Sequence, residues 1–402
     1  MENYLAFIMI VAICFAVIDL ATTHHRIMQR QIYYICFMVL YVLFVIRYYY
    51  GPDIYTYVPH YEKIQAPSKL TLDNMRFEAG YEYFCSVLHW AGLSYWGMTA
   101  VITTLYFASL ACLLSNLKSH QPFALSCIIL FDYNLICAEN RQCLAVALFI
   151  FTILLLLKKK YILSLVFAMA VVITHKSGFI PIALTLMGVL LYGCRQNDTL
   201  YNVLIVVLMG LMLVPVAKVA GPILSHLPLP ASYVSSLRHH LLLGRQLQVV
   251  ALVYLSVLAL ISIHTTPHSR QNYTWLAIET LIGMMLIVAF YQYFFLINRV
   301  RSYFLPFIVC YVIGLTCDSE SVSEVPYSAI MRQAVAVLLI LYFSHSTIGY
   351  INGAKRLHAP VAKSSTILQL RRYPADDIRD RQMKIALRYW REDYMKDSSN
   401  KL

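Results

Sequence analysis

Ionisable and aromatic residues gather at five places along this chain, each at the edge of an apolar stretch. The first place runs from Arg47 to Lys63, where Gly51-Pro52 interrupts a helical pattern and Asp53 follows directly. A carboxylate binds sugar hydroxyls and flat aromatic rings stack on sugar faces, so this segment fits a carbohydrate, although it fits a belt of interfacial tyrosines equally well. The aromatic residues concerned are Tyr55, Tyr57 and Tyr61.

The second place is the sequence FEAGYE, residues 77–82, at the start of a short amphipathic stretch. Its Glu78 would complement the dipole of a helix N-terminus. The alternative is chemical, because a carboxylate beside Asp53 would serve as a general base or as a ligand for a hydroxyl group.

The third place is AENRQ, residues 138–142, which leaves almost no room for a loop between two apolar runs. Arg141 must therefore lie close to the membrane boundary, where desolvating a cation is unfavourable unless the cation is paired or functional. Glu139 is the neighbouring candidate for an ion pair. The other interpretation is a phosphate ligand, since a guanidinium binds phosphate with two parallel hydrogen bonds.

The last two places carry basic residues between apolar runs. In THKSGFIP, His175 is either a hydrogen-bonded structural residue or, with Lys176 and Ser177, part of a phosphate cradle. In INRVRSYF, Arg299 and Arg301 are two residues apart at a predicted membrane edge. These two arginines are the strongest single indication of an anion site in the chain.

The segment 217–247 is a long polar connection and contains Arg245. A segment of this length is often a lid or a binding element, although a plain connector also fits. Three acids in or near apolar stretches, Asp19, Asp132 and Glu279, share no face and indicate a transporter only weakly. The sequence has no C-x-x-C pair and no D-x-D motif in a loop, so we predict no metal and no cofactor.

The composition identifies a membrane protein. The 402 residues are 60% hydrophobic and 13% charged, whereas soluble domains have about a quarter charged residues. This excludes a soluble enzyme and a disordered chain, and a net charge of +12 then fits loops that face anionic lipid, with no nucleic-acid partner. Apolar runs continue to about residue 350, which predicts one all-α polytopic domain, residues 1–350, and a basic tail, residues 351–402.

A helix needs about 20 apolar residues to cross the bilayer, and the hydropathy pattern predicts about 11–13 transmembrane helices. A shorter stretch, residues 81–93, is predicted as an amphipathic helix in the interface. The twelve candidate spans are residues 4–22, 32–46, 94–115, 122–138, 142–157, 161–174, 177–193, 200–216, 248–264, 274–297, 302–317 and 328–350.

Short basic loops predict the orientation, because such loops stay on the cytoplasmic side. With twelve spans the tail lies outside, yet its twelve Lys and Arg against six Asp and Glu are typical of the cytoplasm. Either the number of spans is wrong by one or the tail forms an outer-face interfacial helix around residues 376–394. The segments predicted on the outer face are 47–93, 139–141, 175–176, 217–247 and 298–301.

Carboxylates, tyrosines and cations on one face fit the joining of a sugar hydroxyl to a sugar carried on a lipid pyrophosphate. A base activates the hydroxyl, and fixed cations stabilise the departing pyrophosphate without a metal. A transporter or flippase would distribute polar residues through the bilayer and show repeat symmetry. A ligase or single-step sugar transferase would share the site and differ in product length, whereas an acyltransferase would need a nucleophile that is not evident.

The five motifs, in this order, resemble the EpsG-like family of exopolysaccharide polymerases, which is related in role to the Wzy O-antigen polymerases. The family pattern is a glycine-aspartate with following tyrosines, a glutamate-glycine, an arginine, a histidine-lysine-serine, and an arginine before tyrosine-phenylalanine. Two elements depart slightly from it, since Pro52 replaces the usual residue between the glycine and the aspartate, and Ala79 intervenes between Glu78 and Gly80. The matching residues are Gly51, Asp53, Tyr57, Tyr61, Glu78, Gly80, Arg141, His175, Lys176, Ser177, Arg299, Tyr303 and Phe304.

The resemblance covers residues 40–350 and implies a metal-independent glycosyltransferase of GT-C-like architecture. It implies a multi-pass protein of the bacterial inner membrane that polymerises undecaprenyl-pyrophosphate-linked oligosaccharides on the outer face. Expected partners are the bilayer, the lipid-linked repeat unit, and a chain-length regulator and flippase of the same pathway. The resemblance also implies pyrophosphate binding by the cations, hydroxyl activation by Asp53 or Glu78, and sugar packing by the tyrosines.

Overall fold

The computed structural model describes residues 4–22, 26–48, 53–194, 294–317, 365–366 and 375–388. In these ranges the protein is helical, apart from one ladder of two short strands. The elements are α1 (Tyr4–Ala21), α2 (Arg26–Val45), β1 (Arg47–Tyr48), α3 (Ile54–Glu62), α4 (Ala79–Trp90), α5 (Tyr95–Leu114), α6 (Gln121–Ala138), α7 (Asn140–Leu157), α8 (Tyr161–Thr174), α9 (Phe179–Cys194), α10 (Phe294–Cys317), β2 (Ser365–Thr366) and α11 (Ala375–Arg388).

Several of these helices are long and apolar enough to cross a bilayer. In the described part of the chain four qualify by length and composition: α2 from Ile27 to Val45, and all of α5, α6 and α7. Shorter apolar helices occur at Phe7–Ala21, Tyr161–Thr174 and Lys176–Leu186. The prediction of a helical membrane protein is confirmed to this extent. Predicted spans 200–216, 248–264 and 328–350 lie outside the described residues.

The chain forms two compact units, Met1–Lys176 together with Ile313–Leu402, and Ser177–Val312. In the first unit α6 is the central helix, because it packs against α1, α2, α5 and α7 and is almost entirely buried. The helix α7 continues the bundle and packs against α5 and α8. The apolar side chains of α6 are therefore in contact with protein, whereas α8 exposes most of its own.

Two polar contacts fix the ends of the first unit. At one end the Tyr4 hydroxyl donates to the Leu43 carbonyl, which joins the start of α1 to the end of α2. At the other end the buried Asp19 carboxylate lies 3.0 Å from Nδ1 of His120 and joins α1 to the start of α6. The backbone of His120 is left-handed, with a φ of 57°, because the chain turns sharply there between α5 and α6.

The polar connection between α2 and α5 contains two helices. Asp53 is the cap residue of α3, and α4 is the predicted amphipathic helix, which begins at Ala79. One face of α4 is buried, with Tyr81 and Cys85, while Tyr83 and Trp90 on the other face are exposed. This arrangement is typical of a helix in a membrane interface.

The predicted loop at residues 298–301 is wrong. Residues Phe294–Cys317 form one continuous helix, so that Arg299 and Arg301 lie within α10 and not between two spans. The physical reason is local, because the first proline in this stretch is Pro306 and no glycine precedes it. Two arginines lower the mean hydropathy of the segment but do not interrupt its backbone hydrogen bonds.

The C-terminal tail returns to the end of the first unit that carries α3. Strand β2 pairs antiparallel with β1, with Arg47 opposite Thr366, and Arg379 of α11 lies 3.1 Å from Glu62 at the end of α3. The predicted tail helix is therefore present as α11. It packs on α3, within segment 47–93, and the side of the membrane on which the tail lies stays a prediction.

This arrangement predicts that α3–α4 and the tail are reached from the same side of the membrane. In a cysteine-free variant that still inserts, Asp73→Cys and Asp377→Cys should react with an impermeant maleimide from one side of sealed vesicles. Lys160→Cys, which follows α7 at the opposite end of the helix, should react only from the other side. Labelling of Asp377→Cys together with Lys160→Cys would contradict the described packing.

Candidate functional site

The candidate site is a polar cluster at one end of the first unit, where Arg141 begins α7. Its Nη1 donates to Oε2 of Glu78 at 2.6 Å, and its Nε donates to the Tyr57 hydroxyl at 2.8 Å. The Arg141 side chain is 25% exposed and that of Glu78 is 10% exposed. Three segments that are far apart in the sequence therefore meet at one guanidinium group.

Local geometry directs Glu78 toward Arg141. Glu78 is the cap residue of α4 with extended backbone angles, φ −63° and ψ 138°, and its side chain makes no capping hydrogen bond. The carboxylate therefore leaves its own helix and reaches α7. The carboxylate that pairs with Arg141 is thus not the neighbouring Glu139, which accepts a hydrogen bond from Nδ2 of Asn134 at 2.8 Å.

Aromatic rings surround the Arg141 guanidinium. Its central carbon lies 4.6 Å from the centroid of the Phe77 ring and 5.6 Å from that of Tyr57. The two rings pack on each other with centroids 5.1 Å apart. The faces of aromatic rings attract cations, so the rings replace part of the hydration that Arg141 loses on burial.

The end of α8 closes the cluster on a further side. The backbone N–H of Lys176 donates to Oε1 of Glu78 at 3.5 Å, which is a long hydrogen bond. His175 is buried, and its charge contributes to lowering the pKa of Glu78. Segments 47–93, 139–141 and 175–176, which were predicted to share a face, therefore come together.

A glycine permits this approach of α4 to α8. A Cβ atom on Gly80 would lie 2.7 Å from Cγ1 of Ile173, 2.9 Å from its carbonyl carbon and 3.0 Å from its carbonyl oxygen. Two of these atoms are backbone and cannot turn away. The glycine two residues after Glu78 is therefore needed to place that carboxylate beside Lys176.

The carboxylate and the phenol of the cluster have shifted pKa values. Burial by itself raises the pKa of Glu78, but the charge and hydrogen bond of Arg141, with His175, outweigh burial and bring this pKa below its usual range. Burial raises the pKa of Tyr57 to about 12, although Arg141 acts in the opposite direction. At neutral pH the cluster therefore combines a carboxylate, a guanidinium cation and a neutral phenol.

A second carboxylate, Glu82, was not singled out from the sequence. Its side chain is 1% exposed, and Nε2 of His60 lies 2.8 Å from it. Its Oε1 also accepts the backbone N–H groups of Arg76 at 3.0 Å and Phe77 at 2.8 Å. Burial raises the pKa of Glu82, but these hydrogen bonds and His60 lower it by more. The only signal in the sequence was its place within FEAGYE, four residues after Glu78.

Arg47, like Glu82, is a buried charged residue for which the sequence suggests no role. It is 3% exposed, and its Nη1 donates to the Phe44 carbonyl at 2.8 Å and to Oγ1 of Thr103 at 2.6 Å. Its Nη2 has no acceptor, and no carboxylate lies within ion-pair distance of Arg47 among the residues that the structure describes. Its charge also reaches Tyr95, whose hydroxyl accepts from Asn140 at the start of α7.

The other predicted residues of the first unit lie on or beside α3. The Asp53 carbonyl accepts the backbone N–H groups of Thr56 and Tyr57, and the charge of Asp53 contributes to the raised pKa of Tyr57. Tyr55 is 39% exposed. Tyr61 is buried, and its hydroxyl donates to the Leu93 carbonyl at 3.0 Å.

The remaining predicted residues belong to the second unit or lie outside the described residues. On α10, Arg299 is exposed, Arg301 is half-buried, and the hydroxyl of the buried Tyr303 lies 3.3 Å from Oγ of Ser177. Arg245 and segment 217–247 are outside the described residues. In the ranges that the structure covers, no three His, Cys, Asp or Glu side chains are grouped so as to hold a metal ion.

Apolar helices with a half-buried arginine–carboxylate cluster at one end define a multi-pass membrane protein with a polar site at the membrane boundary. A family model described as the EpsG family matches residues 32–352, and the chain belongs to this family. No curated protein and no solved structure matches the chain significantly. The predicted family is therefore confirmed.

The contact between α4 and α8 can be tested at Gly80. Gly80→Ala forces a Cβ against the Ile173 backbone, and we expect a loss of about 1–3 kcal/mol in stability with a lower melting temperature of the detergent-purified protein. Gly97→Ala is the matched control, because its nearest neighbours are side-chain atoms of Leu93 at 3.2 Å and beyond. Adding Ile173→Ala to Gly80→Ala should restore little of the lost stability, because two of the three close atoms are backbone. Full restoration would show that the clash is with the Ile173 side chain.

The ion pair predicts a pH dependence of stability. Because the pKa of Glu78 is lower in the folded than in the unfolded protein, its contribution is complete above the usual carboxyl range and disappears as pH falls through the folded pKa. At neutral pH, Glu78→Gln should reduce the free energy of unfolding by about 1–3 kcal/mol, which is measured as a lower melting temperature. It should also flatten the decline of the melting temperature toward acid pH. Asp73→Asn, an exposed carboxylate outside the cluster, should retain the decline, and an unflattened Glu78→Gln profile would refute this role.

Proposed function

We propose that this protein is a glycosyltransferase that polymerises undecaprenyl-pyrophosphate-linked oligosaccharide repeat units into a capsular polysaccharide, an exopolysaccharide or an O-antigen. Membership of the EpsG family supports a role in exopolysaccharide synthesis. The observation that carries the proposal is the Arg141 cluster, in which a fixed cation, a carboxylate and aromatic rings meet at one end of a membrane bundle. Such a site suits a substrate that is part anion and part sugar.

In the proposed reaction Arg141 binds the pyrophosphate of the donor, together with His175 and Lys176. A guanidinium has five N–H donors, and Glu78 and Tyr57 each accept one of them, so Arg141 can also donate to a phosphate oxygen while it stays paired with Glu78. From the sequence pattern we also propose Arg299 and Arg301 as anion-binding residues, and Tyr303 and Arg245 as substrate-binding residues. Stabilisation of the leaving group by these fixed cations supports a reaction without a divalent metal.

The acceptor half of the proposed site is built on α3 and the start of α4. Asp53 and Glu78 are proposed to orient or deprotonate the acceptor hydroxyl. Tyr55 has an exposed ring, which suits stacking on a sugar. Tyr57 and Tyr61 are buried, and their rings hold α3 in place below the proposed acceptor site. We further propose a GT-C-like architecture and an inner-membrane location with the site facing outward, as the loop charges indicate.

The proposal is tested by polymerisation in vitro. Purified protein in nanodiscs, given lipid-linked repeat units from its host and a chelator, should produce a ladder spaced by one repeat unit. Arg141→Lys keeps the charge but loses the planar guanidinium that makes two parallel hydrogen bonds to a phosphate, so we expect a loss of roughly 100-fold in rate. The matched control is Arg30→Lys, because Nε of Arg30 also contacts a tyrosine hydroxyl, that of Tyr34, but at the opposite end of α2.

Each outcome of this assay is decisive. A ladder that disappears with Arg141→Lys and persists with Arg30→Lys supports the proposed polymerase. A product extended by a single step identifies a ligase or single-sugar transferase. An unchanged ladder with Arg141→Ala in a stably inserted protein contradicts the role of Arg141, and a wild-type protein without product contradicts the proposed function.

A further inference from the structure

The side chains of His60 and Glu82 form a histidine–carboxylate dyad beside the Arg141 cluster. Nε2 of His60 lies 2.8 Å from the Glu82 carboxylate, which is 1% exposed and also accepts two backbone N–H groups. These contacts fix the carboxylate from several directions, so that it cannot rotate away from the ring. A buried carboxylate that binds one ring nitrogen selects the tautomer in which that nitrogen carries the proton.

The second nitrogen of His60 is available for chemistry. With the proton on Nε2, the lone pair of the neutral ring is on Nδ1, and no described residue makes a hydrogen bond to Nδ1. The side chain is 18% exposed, whereas Glu82 is sealed beneath it. The dyad therefore presents one basic nitrogen outward and keeps its carboxylate away from water.

The position of His60 connects the dyad to the proposed site. Its ring packs edge-on against Phe77, with centroids 5.0 Å apart, and the Arg141 guanidinium lies 4.6 Å from the centroid of the same Phe77 ring. His60 is also on α3, one turn after Tyr57, which binds Arg141. A pyrophosphate at Arg141 and a hydroxyl at His60 would thus be separated by about the width of one aromatic ring.

We propose that His60, oriented by Glu82, is the general base that activates the acceptor hydroxyl, an inference that rests on the proposed glycosyltransferase function. The acceptor oxygen forms a bond to the anomeric carbon of the donor as its proton passes to Nδ1 of His60. The bond between that carbon and the pyrophosphate oxygen breaks, and its electron pair leaves with the lipid pyrophosphate. The imidazolium is stabilised by Glu82 and returns its proton to solvent.

Glu78 is less suited to this role because its carboxylate is already occupied. One oxygen accepts from Arg141 and the other from the Lys176 backbone, and proton transfer to it would break the ion pair. The depressed pKa of Glu78 agrees with this assignment. Imidazole, in contrast, ordinarily exchanges its proton near neutral pH, where general bases are most effective.

Charged groups from several elements face or flank His60. The groups that face it or flank it come from α4, from the turn before α4, from α7 and from its own helix, where Glu62 is already paired with Arg379 of the tail. These groups are Glu82, Glu78, Arg76, Arg141, Glu62 and Arg379.

The test is the pH dependence of the turnover number with lipid-linked repeat units as substrate. In the wild type the turnover number should rise with pH to a plateau, because a general base accepts a proton only in its neutral form. His60→Ala should lower the plateau about 100-fold and abolish the rise, with little change in KM. Added imidazole should restore part of the rate of His60→Ala, which no structural role of the ring would produce. Glu82→Gln should retain the rise at a lower plateau.

His89→Ala is the matched control, because His89 stacks on Tyr61 with centroids 5.3 Å apart and has no carboxylate partner among the described residues. It should keep the wild-type profile and show no rescue by imidazole. A wild-type rate and pH profile in His60→Ala would overturn the inference while leaving the polymerase intact. The inference would also be overturned if His60→Ala lowered the rate but kept the rise with pH and was not rescued by imidazole. A wild type that forms no polymer would instead contradict the proposed function itself.

Discussion

The ion pair between Arg141 and Glu78 is the interaction on which the described site depends. A guanidinium at a membrane boundary is stable only where an opposite charge lies beside it, and here that charge is a carboxylate 63 residues earlier in the chain. This single contact ties the start of α7 to the start of α4. Tyr57 and Phe77 complete the environment of the cation, so that α3 and the preceding turn are positioned by the same group.

The need for such a partner could be predicted from the sequence, but its identity could not. Glu139 was the evident candidate because it is two residues away, whereas the actual partner depends on how α4 packs against α8. That packing depends on Gly80, whose missing side chain carries no signal in a hydropathy pattern. His60 and Glu82 were missed for a related reason: they lie on different helices, and although both belong to segments that drew attention for other residues, no local pattern pairs them.

The fold shows the same division between local and long-range information. Spans such as α5, α6 and α7 follow directly from long apolar runs, because a single segment that crosses a bilayer must be apolar and satisfy its own backbone hydrogen bonds as a helix. The prediction at residues 298–301 is wrong because arginine side chains do not interrupt the backbone hydrogen bonds of a helix, and α10 continues even past Pro306. The contacts of the tail with β1 and α3 join residues more than 300 positions apart and leave no trace in local sequence.

The same contacts of the tail set an order of events during biosynthesis. Residues 365–388 are translated after α1–α8, so β2 cannot pair with β1, and α11 cannot reach Glu62, until those helices have been synthesised. A nascent chain therefore carries the segment of Asp53 and His60 without its covering layer. A chain that ends before residue 365 would therefore insert without the contacts of β2 and α11 at this end of the bundle.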